Sequence, residues 1–482
     1  MNILTKHRDI DMTEGPLLGK IALFVFPLML TNLLQMTYNA ADMMIVGLSP
    51  EPNAVGAVGT CGAFINLINN IFIGFAIGAN VITARHLGAK DAENVSKTVH
   101  SAVALSVVLG VVACVLGQFI SRPVLVLMGN DGALLDLALL YTKIYFFGAP
   151  FISLSNYVIN ILRAKGDTRT PLIVLTCTGL LNVVLNLFFV LVLHLSVEGV
   201  AIATAVSNAV SAIVLLLHLS QDPGLCRFSL KKLRFHKKAL LSMLSIGLPT
   251  GLQGSLFSVS NMMIQSSVLQ VNNAALVDMG YSPAGDVFQP IVKGNAASAN
   301  LEGFAYTATN SVAQAASVFS SQNVGAEKPE RVFSVMRCVF FLTFCTAVLS
   351  AGSLLLFRTP LFGLYGVRPA AAGTLDAVAY ETATRRMLWM LSLYFLLAFM
   401  EAGSHVLRGI GYAATSTASS LLGAVLFRVV WLSTVFRAKP TLDMIYITYP
   451  ISWALSAAVS FTLSVILVRR MIRRKRQAAL SV

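Results

Sequence analysis

The chain has 482 residues, of which 56% are hydrophobic and only 12% charged, and its mean hydropathy is +0.75. Soluble domains carry about 25% charged residues, so this composition excludes a soluble globular protein and indicates an integral membrane protein. The net charge of +14 therefore relates to membrane topology, and we expect no nucleic-acid partner.

Apolar segments long enough to cross a bilayer recur along the whole chain. About 20 apolar residues span a hydrocarbon core, and the apolar runs are too long and too uniform for membrane strands. The first segment is expected to remain attached, because no cleavable signal peptide precedes it. We predict an all-α protein with twelve transmembrane helices at 21–46, 55–80, 97–120, 134–158, 171–194, 198–220, 240–269, 295–320, 332–357, 386–407, 412–435 and 443–468.

The charged segments predict the orientation and the division of the chain. Basic residues concentrate in the linker and the tail, and the excess of Lys and Arg on one side places both termini in the cytoplasm. We expect a multi-pass protein of the cell membrane. Its predicted parts are an N-terminal segment (1–20), an N-lobe (21–220), a basic linker (221–239), a C-lobe (240–468) and a basic tail (469–482).

The two lobes repeat one another in sequence. Arg163-x-x-Gly166 recurs as Arg408-x-x-Gly411, an offset of 245, and the HLGAK motif at 86–90 matches NVGAE at 323–327, an offset of 237. Since each half holds six helices, both halves start on the same side, and a pseudo-twofold axis along the membrane normal relates them. The changing offset predicts two outward-facing insertions in the second half, at 271–293 and 358–385.

Asp42 is the main candidate site residue of the first helix. A lone carboxylate in an apolar segment is costly unless it is paired or protonated, and by default it indicates a functional site. Its alternative role is a position at the headgroup boundary or a helix cap. Gln35, Tyr38, Asn39 and Asp42 are spaced to share one helix face.

Further polar residues form faces on three other predicted helices. These oxygen donors suit Na⁺, although hydrogen bonding between helices is the alternative for each of them. No cysteine pair has the spacing of a metal site, so we expect no metal other than Na⁺. The residues are Asn156 and Asn160, then Asn182 and Asn186, then Thr204, Ser207 and Asn208.

The second half carries a different set of polar residues. Glu401 and His405 are four residues apart on one helix, and Glu302 lies near the start of another. Glu401 could pair with His405 or with Arg428 for structure alone, or these residues could take part in transport.

The combination of features resembles the multidrug and toxic compound extrusion (MATE) family. The match rests on the twelve segments, the first helix with Pro27 and the motif Ala41–Gly47, the doubled LGAKD and VGAEK loops, and the two Arg-x-x-Gly motifs. The resemblance implies two six-helix lobes arranged as a V and a first-lobe cation site. The matching positions are Asp42, Asn182, Asn186 and Thr204, and Asn186 departs from the Asp of many relatives.

The function expected from these features is secondary antiport. The chain would export amphipathic or cationic compounds in exchange for H⁺ or Na⁺, with Pro27 as a hinge of the first helix, Asp42 as the coupling group, and no organic cofactor. The expected partners are a small-molecule substrate and the lipid bilayer, with the chain a monomer. A flippase for lipid-linked saccharides is the alternative. An enzyme is not expected, because no zinc helix or phosphate-binding loop occurs.

Overall fold

The computed structural model describes residues 10–49, 51, 53–128, 130–282 and 288–480, and these residues are almost entirely helical. The N-terminal residues 1–9 and residues 283–287 of the first predicted insertion lie outside the described ranges. The helices are α1 (Leu17–Val46), α2 (Ala54–Gly88), α3 (Ala92–Leu127), α4 (Gly132–Phe147), α5 (Ala149–Ala164), α6 (Arg169–Leu187), α7 (Val197–Ser220), α8 (Lys237–Asp278), α9 (Pro290–Gly325), α10 (Pro329–Leu356), α11 (Arg358–Leu364), α12 (Leu375–Leu391), α13 (Tyr394–Gly409), α14 (Ala413–Ser420), α15 (Phe427–Trp431), α16 (Leu442–Tyr446) and α17 (Thr448–Leu480).

Three π-helices and one 3₁₀ turn interrupt or join these helices. A π-helix, Phe188–Val192, continues α6, and two more, Leu421–Leu426 and Leu432–Phe436, stand on either side of α15. The 3₁₀ turn Leu230–Lys232 lies in the basic linker. Single π-turns inside helices occur frequently at functional sites.

Within the described residues, nine helices are long and apolar enough to cross a membrane. Two further pairs, α4 with α5 and α12 with α13, pass the same test when each pair is joined across a bend of 49°, which gives up to eleven spans. The predicted span 295–320 corresponds to α9, a 36-residue helix that is not among those spans because its sequence is rich in Asn, Ser, Thr and Gln. The protein is thus a multi-pass helical membrane protein.

The chain forms two compact units. Unit 1 comprises Met1–Ser255, Ser317–Val332 and Gly409–Ala414, and unit 2 comprises Leu256–Ala316, Phe333–Arg408 and Thr415–Val482. The core of unit 1 packs around residues such as Tyr157 and Leu215, and that of unit 2 around residues such as Met387 and Tyr446. The C-terminal end of α9 therefore packs with the first half of the chain.

The sequence repeat reappears as repeated local geometry. The bent pairs α4–α5 and α12–α13 have the same angle and start near equivalent positions. Gly166 and Gly411 have φ values of +96° and +95° in the turns after the Arg-x-x-Gly motifs. Lys90 and Glu327, which are equivalent in the HLGAK and NVGAE motifs, both have positive φ, at 54° and 55°. A positive φ favours glycine or a residue that tolerates the left-handed conformation, which explains why the same motifs recur at these turns.

Inside unit 1 the two motifs also contact each other reciprocally. A Cβ at Gly88 would overlap the backbone carbonyl of Gln322, and a Cβ at Gly325 would overlap that of Arg85. The pairs 88/325 and 85/322 are separated by the same 237 residues, so the contact has the form of an isologous, twofold interface. Glycine at both positions lets the backbones approach this closely.

Candidate functional site

Asp42 lies on α1, one turn before the helix ends at Val46, and its carboxylate contacts α6. Asn186 Nδ2 donates a hydrogen bond to Asp42 Oδ1 at 2.6 Å. Asn186 is fully buried, whereas Asp42 is only half-buried. A charge-assisted hydrogen bond of this kind is stronger than one between neutral groups, so Asn186 stabilises the ionised form of Asp42.

A chain of side-chain contacts extends from this pair to α7. Asn186 Nδ2 also lies 3.3 Å from Asn182 Oδ1, and Asn182 Nδ2 lies 3.5 Å from Thr204 Oγ1. The structure therefore brings together all four residues of the predicted coupling site, from three helices of unit 1. We call Asp42, Asn182, Asn186 and Thr204 the Asp42 site.

Local features of the sequence position these helices. Gly179 on α6 lies against the ring of Tyr38 on α1, where a Cβ would overlap the ring. Asn186 lies on the last turn of α6, directly before the π-helix Phe188–Val192. The absent side chain at Gly179 allows α1 and α6 to pack closely enough for Asp42 to reach Asn186.

One buried oxygen of the site has no partner among the described residues: Asn186 Oδ1 accepts no hydrogen bond there. Buried polar atoms are almost always satisfied, so this orphaned oxygen beside a carboxylate is available to a further partner. The described part of the chain gathers no group of three His, Cys, Asp or Glu side chains. A cation at this site would therefore be held by Asp42 and neutral amide and hydroxyl oxygens.

The other predicted lining residues of the first half form no described hydrogen bond with a side chain of the Asp42 site. Gln35 and Asn39 are exposed on α1, and the Tyr38 hydroxyl lies 3.4 Å from Thr176 O. The remaining three amides donate to a carbonyl one turn back in their own helix, which is a structural role: Asn156 to Ile152 O at 2.9 Å, Asn160 to Asn156 O at 2.9 Å, and Asn208 to Thr204 O at 2.8 Å.

Two residues near Asp42 were absent from the predicted set. Tyr141 and Tyr145 on α4 lie close enough to Asp42 for its charge to act on them, and Asn69 Nδ2 donates to the Tyr145 hydroxyl at 3.0 Å. The two tyrosines are four residues apart on a predicted helix, and this spacing, which puts them on one helix face, is the sequence feature that could have indicated them.

The polar residues of the second half separate into two groups inside unit 2. Glu302 forms a bidentate ion pair with Arg386, with Nε–Oε1 and NH2–Oε2 distances of 2.9 and 2.8 Å. Glu401 Oε2 lies 3.9 Å from His405 Nε2 and 3.5 Å from Asn310 Nδ2. The sequence had indicated Glu302 but not Arg386, whose position in a mixed-charge helix gave no sign of burial.

Of the two alternative pairs proposed for Glu401, the structure contains only the one with His405. Arg428 lies instead on α15, where its Nε donates to Ser452 Oγ at 3.1 Å. The predicted Glu401–Arg428 pair is therefore wrong: α15 directs Arg428 to α17, whereas Glu401 on α13 contacts α9.

Comparison with known proteins identifies the family of the chain. The fold is that of a multi-pass helical membrane protein with an internal repeat. A family model described as MatE matches residues 27–188 and 292–432. The chain therefore belongs to the MATE family of multidrug efflux transporters.

Named relatives and a solved structure support this assignment. The chain is 27% identical over 333 residues to "Probable multidrug resistance protein YoeA" of Bacillus subtilis, covering 67% of this chain and 68% of that protein. It is also 24% identical over 259 residues to "Multidrug export protein MepA" of Staphylococcus saprophyticus. That alignment covers 54% of this chain and 57% of the length of MepA. A solved structure described as the "Outward-facing conformation of a multidrug resistance MATE family transporter of the MOP superfamily" has a TM-score of 0.85 at 20% identity, covering 97% of this chain and 99% of that one.

Proposed function

We propose that the chain is a secondary antiporter that exports amphipathic or cationic compounds in exchange for H⁺ or Na⁺, with Asp42 as the ion-binding group. The observation that carries this proposal is the contact of Asp42 with Asn186, which a buried chain of polar groups links to Asn182 and Thr204. Costly polar groups of this kind inside membrane segments mark ion and proton pathways.

The Asp42–Asn186 pair can accommodate both states of the carboxylate. Asp42 Oδ1 accepts from the Asn186 amide nitrogen, which is the arrangement expected of the ionised carboxylate. Protonated Asp42 becomes a donor, and a half-turn of the Asn186 amide would present the orphaned Oδ1 as its acceptor. With Na⁺, the same turn would supply one oxygen ligand beside those of Asp42, Asn182 and Thr204.

Ion binding drives export only if it favours one conformation over another. Asp42 and Pro27 share α1, where proline removes the backbone donor to the carbonyl one turn earlier. One turn after the proline, Thr31 Oγ1 donates to Pro27 O at 2.7 Å. We propose that α1 bends at Pro27 when Asp42 gains or loses its ion, which couples the Asp42 site to the substrate path.

The names of the relatives support the substrate class. YoeA is called a multidrug resistance protein and MepA a multidrug export protein, and we extend to this chain the export of drug-like compounds. We also propose that it resides in the cell membrane with both termini in the cytoplasm, as the basic linker and tail predict.

The test is efflux of ethidium, a fluorescent cation, from proteoliposomes under an imposed Na⁺ or pH gradient. Wild type is expected to respond to one of the two gradients. Asp42→Asn, which keeps the shape and removes the charge, is expected to lose that response. The matched control is Asp136→Asn, at an exposed position of α4, which should behave as wild type. Full gradient-driven efflux by Asp42→Asn would disprove the proposal.

A further inference from the structure

Unit 2 contains a buried positive charge outside the Asp42 site. Arg428 is 3% exposed, its Nε donates to Ser452 Oγ at 3.1 Å, and its guanidinium carbon lies 4.3 Å from the ring centre of Tyr449. Among the residues that the structure describes, no Asp or Glu is within ion-pair distance of this guanidinium. A hydroxyl and an aromatic face offset only part of the cost of burying a charge, so Arg428 lacks a counter-anion.

The acid of the neighbouring cluster is already neutralised. Both oxygens of Glu302 accept from Arg386, whose guanidinium carbon lies 5.6 Å from the same Tyr449 ring. Asn295 Oδ1 accepts from Arg386 NH1 at 2.9 Å and from the Tyr446 hydroxyl at 3.3 Å. Asn295 Nδ2 is buried with no hydrogen-bond partner in the described structure. The cluster thus contains more hydrogen-bond donors than acceptors. It has two guanidinium groups, those of Arg386 and Arg428, and a single carboxylate, that of Glu302.

The internal repeat places part of this cluster at the counterparts of α6 and α7, the helices that carry Asn182 and Thr204. The offset of 245 aligns Thr204 with Tyr449 and Ser207 with Ser452, and it places Arg428 one residue from the counterpart of Asn182. A π-helix follows in both halves, after α6 and after α15. The helix positions that carry Asn182 and Thr204 beside a carboxylate in the first half therefore lie next to or hold Arg428 and Tyr449 in the second.

We infer that Arg428, Asn295 and Tyr449 form a binding site for the carboxylate group of an organic anion or zwitterion. The planar guanidinium matches a carboxylate in bidentate geometry, and one unneutralised positive charge suits one carboxylate. Trp453, whose ring centre lies 5.8 Å from that of Tyr449, adds aromatic surface for the apolar part of the ligand. The inference rests on the export function proposed above, because the carboxylate would belong to an exported compound.

Intrinsic fluorescence offers a binding assay confined to unit 2, since all three tryptophans of the chain (Trp389, Trp431 and Trp453) lie in it. The purified full-length protein in detergent would be titrated with benzoate and with its neutral analogue benzamide. We expect a saturable fluorescence change with benzoate and none with benzamide at the same concentrations. Equal responses to the two compounds, or no response to benzoate, would overturn the inference.

Variants localise the response. Arg428→Gln is expected to weaken benzoate binding by about tenfold or more, because a charged hydrogen-bonding group is lost. The control Arg437→Gln removes an exposed charge just after the following π-helix and should bind as wild type. Benzoate binding is measured without an ion gradient, whereas the antiport proposal is tested by gradient-driven ethidium efflux, so failure of the antiport proposal and failure of this inference remain distinguishable.

The remaining outcomes also decide the question. If Arg428→Gln binds benzoate as tightly as the wild type does, the inference is overturned. If Arg428→Gln does not fold, Arg428→Lys serves instead: it keeps the charge, loses the planar fork, and should bind benzoate roughly threefold or more weakly. Unchanged binding by Arg428→Lys would then overturn the inference. Tighter binding of phenyl phosphate than of benzoate would overturn the carboxylate assignment and favour the lipid-linked saccharide alternative.

Discussion

The hydrogen bond from Asn186 to Asp42 gives the buried amide a direct role beside the carboxylate. An amide has a donor and an acceptor on one side chain, so it can serve an ionised or a protonated partner without a charge of its own. With Asn186, the Asp42 site holds a single carboxylate, which suits the exchange of one proton or one Na⁺ per cycle.

Replacement of Asn186 by Leu tests this role. The variant retains the volume but removes the donor and the acceptor beside Asp42, and hydrogen bonds to charged groups contribute about 1.5–3 kcal/mol. We expect the ion concentration for half-maximal ethidium efflux to shift by roughly tenfold or more. Asn208→Leu, which removes only a bond within α7, should leave that concentration unchanged. A wild-type ion dependence in Asn186→Leu would contradict the role.

The buried carboxylate of Asp167 is expected to make the stability of the fold, rather than transport, depend on pH. Burial alone would raise its pKa, but the His218 ring, the Thr170 N–H and the charge of Lys165 outweigh burial and lower its pKa to about 2. A carboxyl with a lowered folded-state pKa stabilises the fold above its unfolded pKa of 3.8, and this contribution is lost as the pH falls through about 2.

Asp167→Asn is accordingly expected to lower the free energy of unfolding by roughly 2 kcal/mol at pH 7. Thermal unfolding of wild type and variant, followed from pH 7 to pH 2, would measure the difference. It should be constant from pH 7 to about 5 and shrink below pH 4. A difference that is unchanged down to pH 2 would show that the carboxylate charge is not responsible.

Sequence reasoning succeeded best where a residue's chemistry is unusual for its surroundings. Asp42 and the amides of α6 stand out against apolar helices, and the structure brings them together. The sequence did not single out Arg386, because basic residues are common near the start of a predicted membrane helix. Only the folded structure shows that Arg386 and Glu302 form a buried ion pair. The Glu401–Arg428 pair failed because spacing along the chain does not give the direction of a side chain on a π-interrupted helix.

At the scale of helices, glycine determines how closely the repeated motifs approach. Gly88 and Gly325 each lie against a backbone carbonyl of the other motif inside unit 1, so neither position has space for a methyl group. These glycines belong to the sequence repeat, but their reciprocal contact is evident only in the folded structure.

Gly325→Ala is expected to destabilise the protein, because insertion of a methyl group into a packed contact costs typically 1–3 kcal/mol. Thermal inactivation measured by fluorescence-detected size exclusion would show a lower midpoint. Gly352→Ala on α10, where a Cβ meets no atom within 4 Å, is the control and should leave the midpoint unchanged or raise it. Equal midpoints for Gly325→Ala and wild type would refute the close contact.

At the scale of the molecule, the repeat was the strongest sequence signal, and the structure confirms it through the matched bends, turns and π-helices. The all-helical membrane fold followed directly from composition. The lobe boundaries stay a prediction, while the compact units place the end of α9 with the first half, a long-range contact that no local pattern encodes. The monomeric state and the orientation of the termini also stay predictions.

The polar clusters of the two halves also differ in charge. The first half offers a carboxylate beside neutral amides, and the second offers a guanidinium beside an amide and a tyrosine. Sequence duplication thus provides similar local backbone geometry twice, with different polar side chains in the two copies.

The central claim is that Asp42 carries the ion exchanged for substrate, and ion movement driven by substrate tests it most directly. Proteoliposomes loaded with ethidium and placed in ethidium-free buffer, without any imposed ion gradient, would be followed with ²²Na⁺ and with a pH-sensitive dye. Linkage between the two sites requires that substrate leaving in one direction drives the ion in the other. We predict counterflow of Na⁺ or H⁺ in wild type and Asp136→Asn, and none in Asp42→Asn. Equal counterflow in wild type and Asp42→Asn would contradict the claim.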